Sequence, residues 1–257
     1  MSGAAARPLR RRGLLVPGLF SLVGIALLIG LGVWQLERKV WKEALIDSIT
    51  RRMTAALVAL PPPERWPSLD PAAAEFTRVA FRAEFENDQE ALVFASGAAL
   101  RPDVSGPGYW VFTPARFGGG ARVVVNRGFV PEAASDPASR AAGRVSGPVD
   151  IVGALRWPER SGWFTPAGEP GRNLWFARDH LAIAAAKGWG SVAPFYVEQE
   201  APPAPGGLPR PGKLVVKLPD NHLQYAITWF GLALVLAGVF AAFARAHWRE
   251  RRSGAGV

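Results

Sequence analysis

The chain has 257 residues, of which 49% are hydrophobic and 20% charged, with a formal net charge of +9 and no cysteine. That much charge excludes a polytopic membrane bundle, and that much apolar surface excludes a disordered chain. The missing thiols exclude disulfides, thiolate zinc sites, iron–sulfur clusters and cysteine catalysis, and at roughly 150 residues per domain the length holds one or two compact units.

The chain opens on Arg7, Arg10, Arg11 and Arg12 with no acid among them, and closes on Arg245, Arg249, Arg251 and Arg252 against Glu250 alone. Each basic tail abuts an uncharged run, Gly13–Leu36 (24 residues) and Leu223–Ala244 (22 residues). Helices of that length reach about 33 to 36 Å, enough to cross a hydrocarbon layer of about 30 Å. Two transmembrane helices are therefore predicted. Basic residues at both outer ends place residues 1–12 and 245–257 in the cytoplasm and export 37–222. They read as topology determinants facing membrane lipid, which leaves no basic patch for nucleic acid. A cleaved signal peptide is the competing reading of the first run. Against it, the run exceeds the usual h-region of about 7 to 15 residues, and no small-x-small site leads directly into Glu37-Arg38-Lys39. With a dozen residues ahead of the first span, the expected location is a bacterial inner membrane with a periplasmic central domain.

Beyond Leu36, Trp34, Arg38, Trp41, Leu45 and Ser48 recur at steps of four and three, followed by Ile46, Ile49 and Met53. The spacing predicts that the first helix continues as a stalk until Pro61-Pro62-Pro63. From Phe76 the texture changes to short β-branched and aromatic runs divided by Gly and Pro. Strands are predicted at Arg78–Phe85, Ala91–Ser96, Tyr109–Pro114, Arg122–Asn126, Val149–Leu155, Pro194–Glu198 and Leu214–Lys217, with Gly118-Gly119-Gly120 as a hairpin turn. One short helix, Ala177–Lys187, stops at Gly188. Pro202–Pro211 carries five prolines and reads as an extended connection. The fold class is α+β: two transmembrane helices flanking an exported antiparallel β-sheet or open-barrel domain.

Hydrolase, Walker, zincin and dinucleotide signatures are all absent from the sequence. Asp179-His180 reads as a surface pair on the small helix rather than part of a triad, so the chain is not predicted to be an enzyme. Chemistry gathers instead at the outer membrane boundary. Asn221 and Gln224 resemble a capping box, which puts His222 at the first helical position and aligns it with Tyr225 and Trp229 on one face. On the other helix Trp34, Arg38 and Trp41 leave the bilayer at the same level. Two readings remain open. The aromatics form an interfacial belt, or His222 is a neutral imidazole ligand for haem iron, Asp220 or Asn221 orients its ring, Arg38 meets the propionates, and a gap between the helices admits the macrocycle. The sequence has no C-x-x-C-H, so such a haem is held non-covalently.

Three segments carry a resemblance: Gly32-Val33-Trp34-Gln35-Leu36-Glu37-Arg38 with Trp41-Lys42; Val125-Asn126-Arg127-Gly128-Phe129-Val130-Pro131; and Asn221-His222-Leu223-Gln224-Tyr225-Ala226-Ile227-Thr228-Trp229-Phe230. Together they resemble the surfeit locus protein 1 family of cytochrome c oxidase assembly factors, and weaker similarity at Gly108-Tyr109-Trp110, Phe164-Thr165-Pro166 and Asn173-Leu174-Trp175 extends it over nearly the whole chain. The resemblance implies a role in maturing the oxidase core. Subunit I is the implied partner, haem A synthase a further candidate, and haem A a transient cofactor with His222 on its iron. A cofactor-free scaffold for subunit I is the alternative. Asp220 stands where the family pattern leads one to expect Asn. The central motif suggests no chemistry. Gly128 is expected to meet a backbone requirement at a strand end, and Arg127 to be a partner contact or a surface charge.

Overall fold

A computed structural model describes residues 13–96, 101–159, 161–215 and 220–253. The chain divides into two units, one formed by the chain up to Leu45 and from Pro219 onward, the other by Ile46–Leu218. The first helix, α1 (Leu15–Thr54), runs unbroken through the apolar stretch and into the polar one, as its spacing predicts. It ends well before the proline triplet. There the Thr54 hydroxyl turns back onto the Thr50 carbonyl, and the chain is drawn off into a short strand.

In the Ile46–Leu218 unit the elements follow as β1 (Val58–Ala59), α2 (Pro71–Ala74), β2 (Arg78–Phe85), β3 (Ala91–Ala95), β4 (Gly108–Phe117), β5 (Ala121–Pro131), β6 (Pro148–Arg156), β7 (Leu174–Trp175), α3 (His180–Lys187) and β8 (Val192–Ala201). The sheet order is β1-β2-β6-β8-β5-β4-β3-β7, and an added β2–β4 pairing closes β2, β6, β8, β5 and β4 into a five-stranded barrel. That closure is short, Glu84 opposite Arg116 and Phe85 opposite Ala115. Most ladders are antiparallel. The β5–β8 wall is parallel, because β8 returns to β5 only after β6, β7 and α3, a connection long enough for a crossover.

Side chains alternate across this wall as the pleat demands. Val123 and Val125 of β5 and Phe195 and Val197 of β8 point inward to meet Val79, Phe81, Ile151, Leu155 and Trp66. Phe112, Val124 and Tyr196 point outward, where Ile183 and Ala184 of α3, Trp175 and Trp189 cover them. Burial on both faces explains why the central strands outrun the alternating segments visible in the sequence: such a strand reads as continuous apolar residues rather than as an alternation.

The small helix begins at His180, three residues later than its composition suggests, because the Asp179 carboxylate accepts from the Leu181 and Ala182 amides at 3.2 and 3.0 Å. Gly188 ends it in the left-handed region at φ 67°. The expected surface pair is corrected here. Asp179 is a cap, and His180 is fully buried against Tyr196. Leu214 and Val215 lie outside regular structure. Leu214 instead packs with Phe76, Ala154, Ile49 and Met53 in a small separate core. The remainder of that expected strand, 216–217, falls outside the described residues, as does the basic segment 1–12. Two short strands, β1 and β7, join the sheet edges with too few residues to show a period.

The last helix, α4 (His222–Ser253), pairs with α1 in the other unit. Their antiparallel seam is marked by small residues. A Cβ on Gly32 would stand 2.5 Å from the Phe230 ring, one on Gly24 2.9 Å from Leu236, and one on Gly18 3.2 Å from Phe240. Ala226 and Ala233 are buried along the same line. Small residues let two apolar helices approach closely where no hydrophobic driving force separates lipid from protein. Both helices are long and apolar enough to cross a membrane, and only 6% and 11% of their apolar windows are buried.

Candidate functional site

In the helical unit the exit of α1 and the start of α4 meet. His222 stands at the first helical position, as expected, but the group that holds the first turn is not Asn221. The His222 amide donates to the Asp220 carboxylate at 3.0 Å, while the Asn221 carbonyl accepts from the Tyr225 amide at 3.1 Å. The half-buried imidazole then leans across to α1, where its Nδ1 lies 2.7 Å from Gln35 Oε1. One turn beyond Gln35 the Lys39 ammonium stands within electrostatic reach of Asp220. Both boundary motifs thus share one level.

Among the described residues neither Asp220 nor Asn221 makes the ring hydrogen bond expected of an orienting partner. Gln35 does. It was missed because it lies off the aromatic stripe: at about 100° per residue, Trp34, Arg38 and Trp41 fall to one side of the line through Gln35 and Gly32. Tyr225 and Trp229 fall to the same-handed side of the line through His222, Ala226 and Ala233, and in an antiparallel pair these two sides form a single flank. Arg38 lies on that flank with its guanidinium 4.0 Å above the Trp41 ring. Trp34, Trp41 and Tyr225 are each about half exposed.

A gap between the helices, large enough for a macrocycle, is absent next to His222: Gly32 and Phe230 close the seam one turn deeper, and Ala226 is buried in it. The exposed aromatic flank is the surface that remains for a planar ligand. Its chemistry suits a haem. It offers an arginine and a set of aromatic faces, with the half-buried His222 imidazole on the seam beside it.

The central motif belongs to the barrel unit and is architectural. Asn126, fully buried, donates through Nδ2 to both oxygens of Glu198 at 3.0 Å and accepts from the Gly128 amide at 3.1 Å. Gly128 takes φ 118°, and a Cβ there would meet the Arg210 carbonyl oxygen at 2.1 Å. That close approach lets Phe129 and Arg210 exchange backbone hydrogen bonds of 3.0 and 2.8 Å, pinning the proline-rich connection to β5. Arg127 is neither a surface charge nor free for a partner. It is buried over the Phe85 ring at 4.3 Å and donates to Asn87 and to the Gly143 carbonyl. Burial pushes its guanidinium down to about 10.

On the barrel's surface a basin of about 630 Å³ is lined by Glu86, Arg116, Arg122, Arg144 and Lys187 among others. Its charges are largely paired, since Glu86 bridges Arg116 at 2.8 Å and Arg122 at 3.1 Å. Among the described residues no group of three His, Asp or Glu side chains is placed to hold a metal ion.

The model of the SURF1 family matches residues 22–234. A SURF1-like protein of Monosiga brevicollis is 34% identical over 91% of this chain and 89% of its own length. Surfeit locus protein 1 of Takifugu rubripes is 33% identical over 83% of this chain and 90% of its own. For the Homo sapiens protein of that name the figures are 32%, 79% and 69%.

Proposed function

The chain belongs to the SURF1 family, and from that premise we propose that it is a membrane assembly factor for cytochrome c oxidase that holds haem A at the α1–α4 boundary for insertion into subunit I. The observation that carries this reading is the approach of His222 to Gln35 across the two helices. It joins the two boundary motifs into one site and sets an imidazole at the start of an apolar helix. There His222 supplies the iron ligand, Arg38 meets the propionates, and Trp34, Trp41, Tyr225 and Trp229 line the flank against which the ring edge rests. The farnesyl-like apolar tail of such a haem lies in lipid alongside the unburied face of α4. The bound group supplies redox-active iron to the oxidase, and this chain's residues perform no chemistry on it. In this reading the protein sits in a bacterial inner membrane with both termini cytoplasmic and the barrel periplasmic, in line with the basic residues at both ends. Haem A synthase is the donor and subunit I the acceptor.

The test is the absorption spectrum and haem content of full-length protein purified from cells that make haem A. Wild type is expected to carry haem A and His222→Ala to lose it; identical spectra and haem content would overturn the ligand assignment. One observation favours a second reading, a cofactor-free scaffold for subunit I. It is the closed seam at Gly32 and Phe230, which confines any macrocycle to an exposed flank. Under that reading, loss of the protein lowers subunit I abundance together with oxidase haem, whereas delivery predicts haem-poor subunit I at normal abundance.

A further inference from the structure

We propose that Gln35 is a positioning residue that fixes the tautomer and ring orientation of His222, so that Nε2 presents an unprotonated lone pair; this rests on the reading of His222 as a haem ligand. The neutral imidazole has one N–H and one acceptor nitrogen, and the partner of one nitrogen decides the state of the other. Here Nδ1 faces the amide oxygen of Gln35 at 2.7 Å. An amide oxygen only accepts, so Nδ1 carries the proton and donates it. Nε2, which no hydrogen bond reaches among the described residues, is left as the donor atom for a metal.

Three features make this a built arrangement rather than a chance contact. The histidine backbone is fixed by the Asp220 carboxylate at its amide, so the ring has only its own two torsions left to settle. Gln35 lies within a continuous helix and one turn from Gly32, where the close approach of Phe230 sets the spacing between the helices. Finally, the acceptor is an uncharged amide. A carboxylate at that place would impose the same tautomer while adding a negative charge beside lipid, which is costly to desolvate. Gln35 therefore specifies the proton's position without that charge.

The proposal is tested on full-length protein in lipid nanodiscs, labelled with ¹⁵N-histidine. Only His180, His222 and His247 contribute, and single substitutions of His180 and His247 assign the ring signals. Above pH 8, wild type is expected to show His222 protonated at Nδ1. Gln35→Leu is expected to shift His222 toward the Nε2–H form while the other two rings keep their signals. The proposal is overturned if wild-type His222 is already protonated at Nε2, which would mean that Gln35 donates through its amide nitrogen, or if Gln35→Leu leaves the ring signals unchanged.

Ferric haem b added to the same samples separates this proposal from the one beneath it. With His222 as the ligand, Gln35→Leu weakens binding about 10- to 100-fold. Gln35→Glu retains binding but lowers the iron's midpoint potential, because a carboxylate acceptor makes the imidazole a stronger donor. A purely structural role for Gln35 would leave that potential unmoved. If the ring carries its proton on Nδ1 in a Gln35-dependent way and yet neither wild type nor Gln35→Glu binds haem b, the positioning stands and the haem reading falls.

Discussion

A histidine's value to this protein depends on which unit it occupies, and His180 shows the opposite case to His222. It sits beneath the β8 wall with Nε2 2.9 Å from the Ala193 carbonyl, while Nδ1 is buried without a partner. Burial lowers its pKa to about 4, the Ala193 hydrogen bond and Asp179 opposing that only in part. The unfolded chain titrates near 6.5, so between those values it binds more protons than the folded one. The stability His180 contributes is thus fully present above about pH 6.5 and is lost as the pH falls toward 4, a span worth on the order of 3 kcal/mol. Two carboxylates that also favour the folded state act lower. Asp103 is held down by its hydrogen bonds from Arg101, and Glu86 is held down by Arg116 and Arg122 despite its burial. Melting curves between pH 7 and 4 are expected to show wild type losing stability and His180→Gln, which cannot titrate, losing markedly less. Parallel curves for the two proteins would show that His180 is not the group responsible.

At the scale of elements, the central motif turns the last part of β5 into a clamp, and Gly128, which lies inside that strand rather than at its end as expected, is its narrowest point. Alanine there must hold φ 118° with its Cβ 2.1 Å from the Arg210 oxygen and 2.5 Å from the Pro211 nitrogen, all of it backbone that cannot swing aside. Gly128→Ala is expected to cost about 3 kcal/mol or more. Gly118→Ala, at φ 37° with nothing within 4 Å, should cost only about 1 kcal/mol. Denaturant melts of the two full-length variants give the comparison; equal losses would remove the clamp from the account. That Gly128 meets a backbone requirement was legible in the sequence, because glycine between a strand and a proline has few other uses. The role of Arg127 was not. Its partners, Phe85, Asn87 and Gly143, are brought to it by tertiary folding alone, and an arginine beside a glycine looks the same whether it faces solvent or is buried over a ring. The same limit hid Gln35, a polar residue between two aromatic-stripe positions whose only signal was its place in one of the three segments that carry the family resemblance. Strands that alternate, such as β2, showed their full extent in the residue pattern. The parallel β5–β8 wall did not, since pairing across that separation leaves no local trace.

For the whole molecule, chemistry and architecture are divided between the two units. Every residue of the proposed haem site, Trp34, Gln35, Arg38, Trp41, His222, Tyr225 and Trp229, falls in the helical unit, whereas Ile46–Leu218 contains a closed barrel with its own cores and the buried Asn126–Glu198 and Arg127 contacts. A five-stranded barrel whose strands are paired around its full circumference leaves no open edge among those five. Its cores are made of its own residues, and its length is in the range of domains that fold alone. The segment 46–218 is therefore expected to be soluble when expressed by itself, to give a strand-rich circular dichroism spectrum and to melt cooperatively. It should leave the Soret band of added ferric haem b unchanged, while the full chain shifts it to a histidine-ligated position. Two results would break this division. A fragment that binds haem b as tightly as the full chain would move the site into the barrel, and one that fails to fold would show that the barrel depends on the two apolar helices for stability.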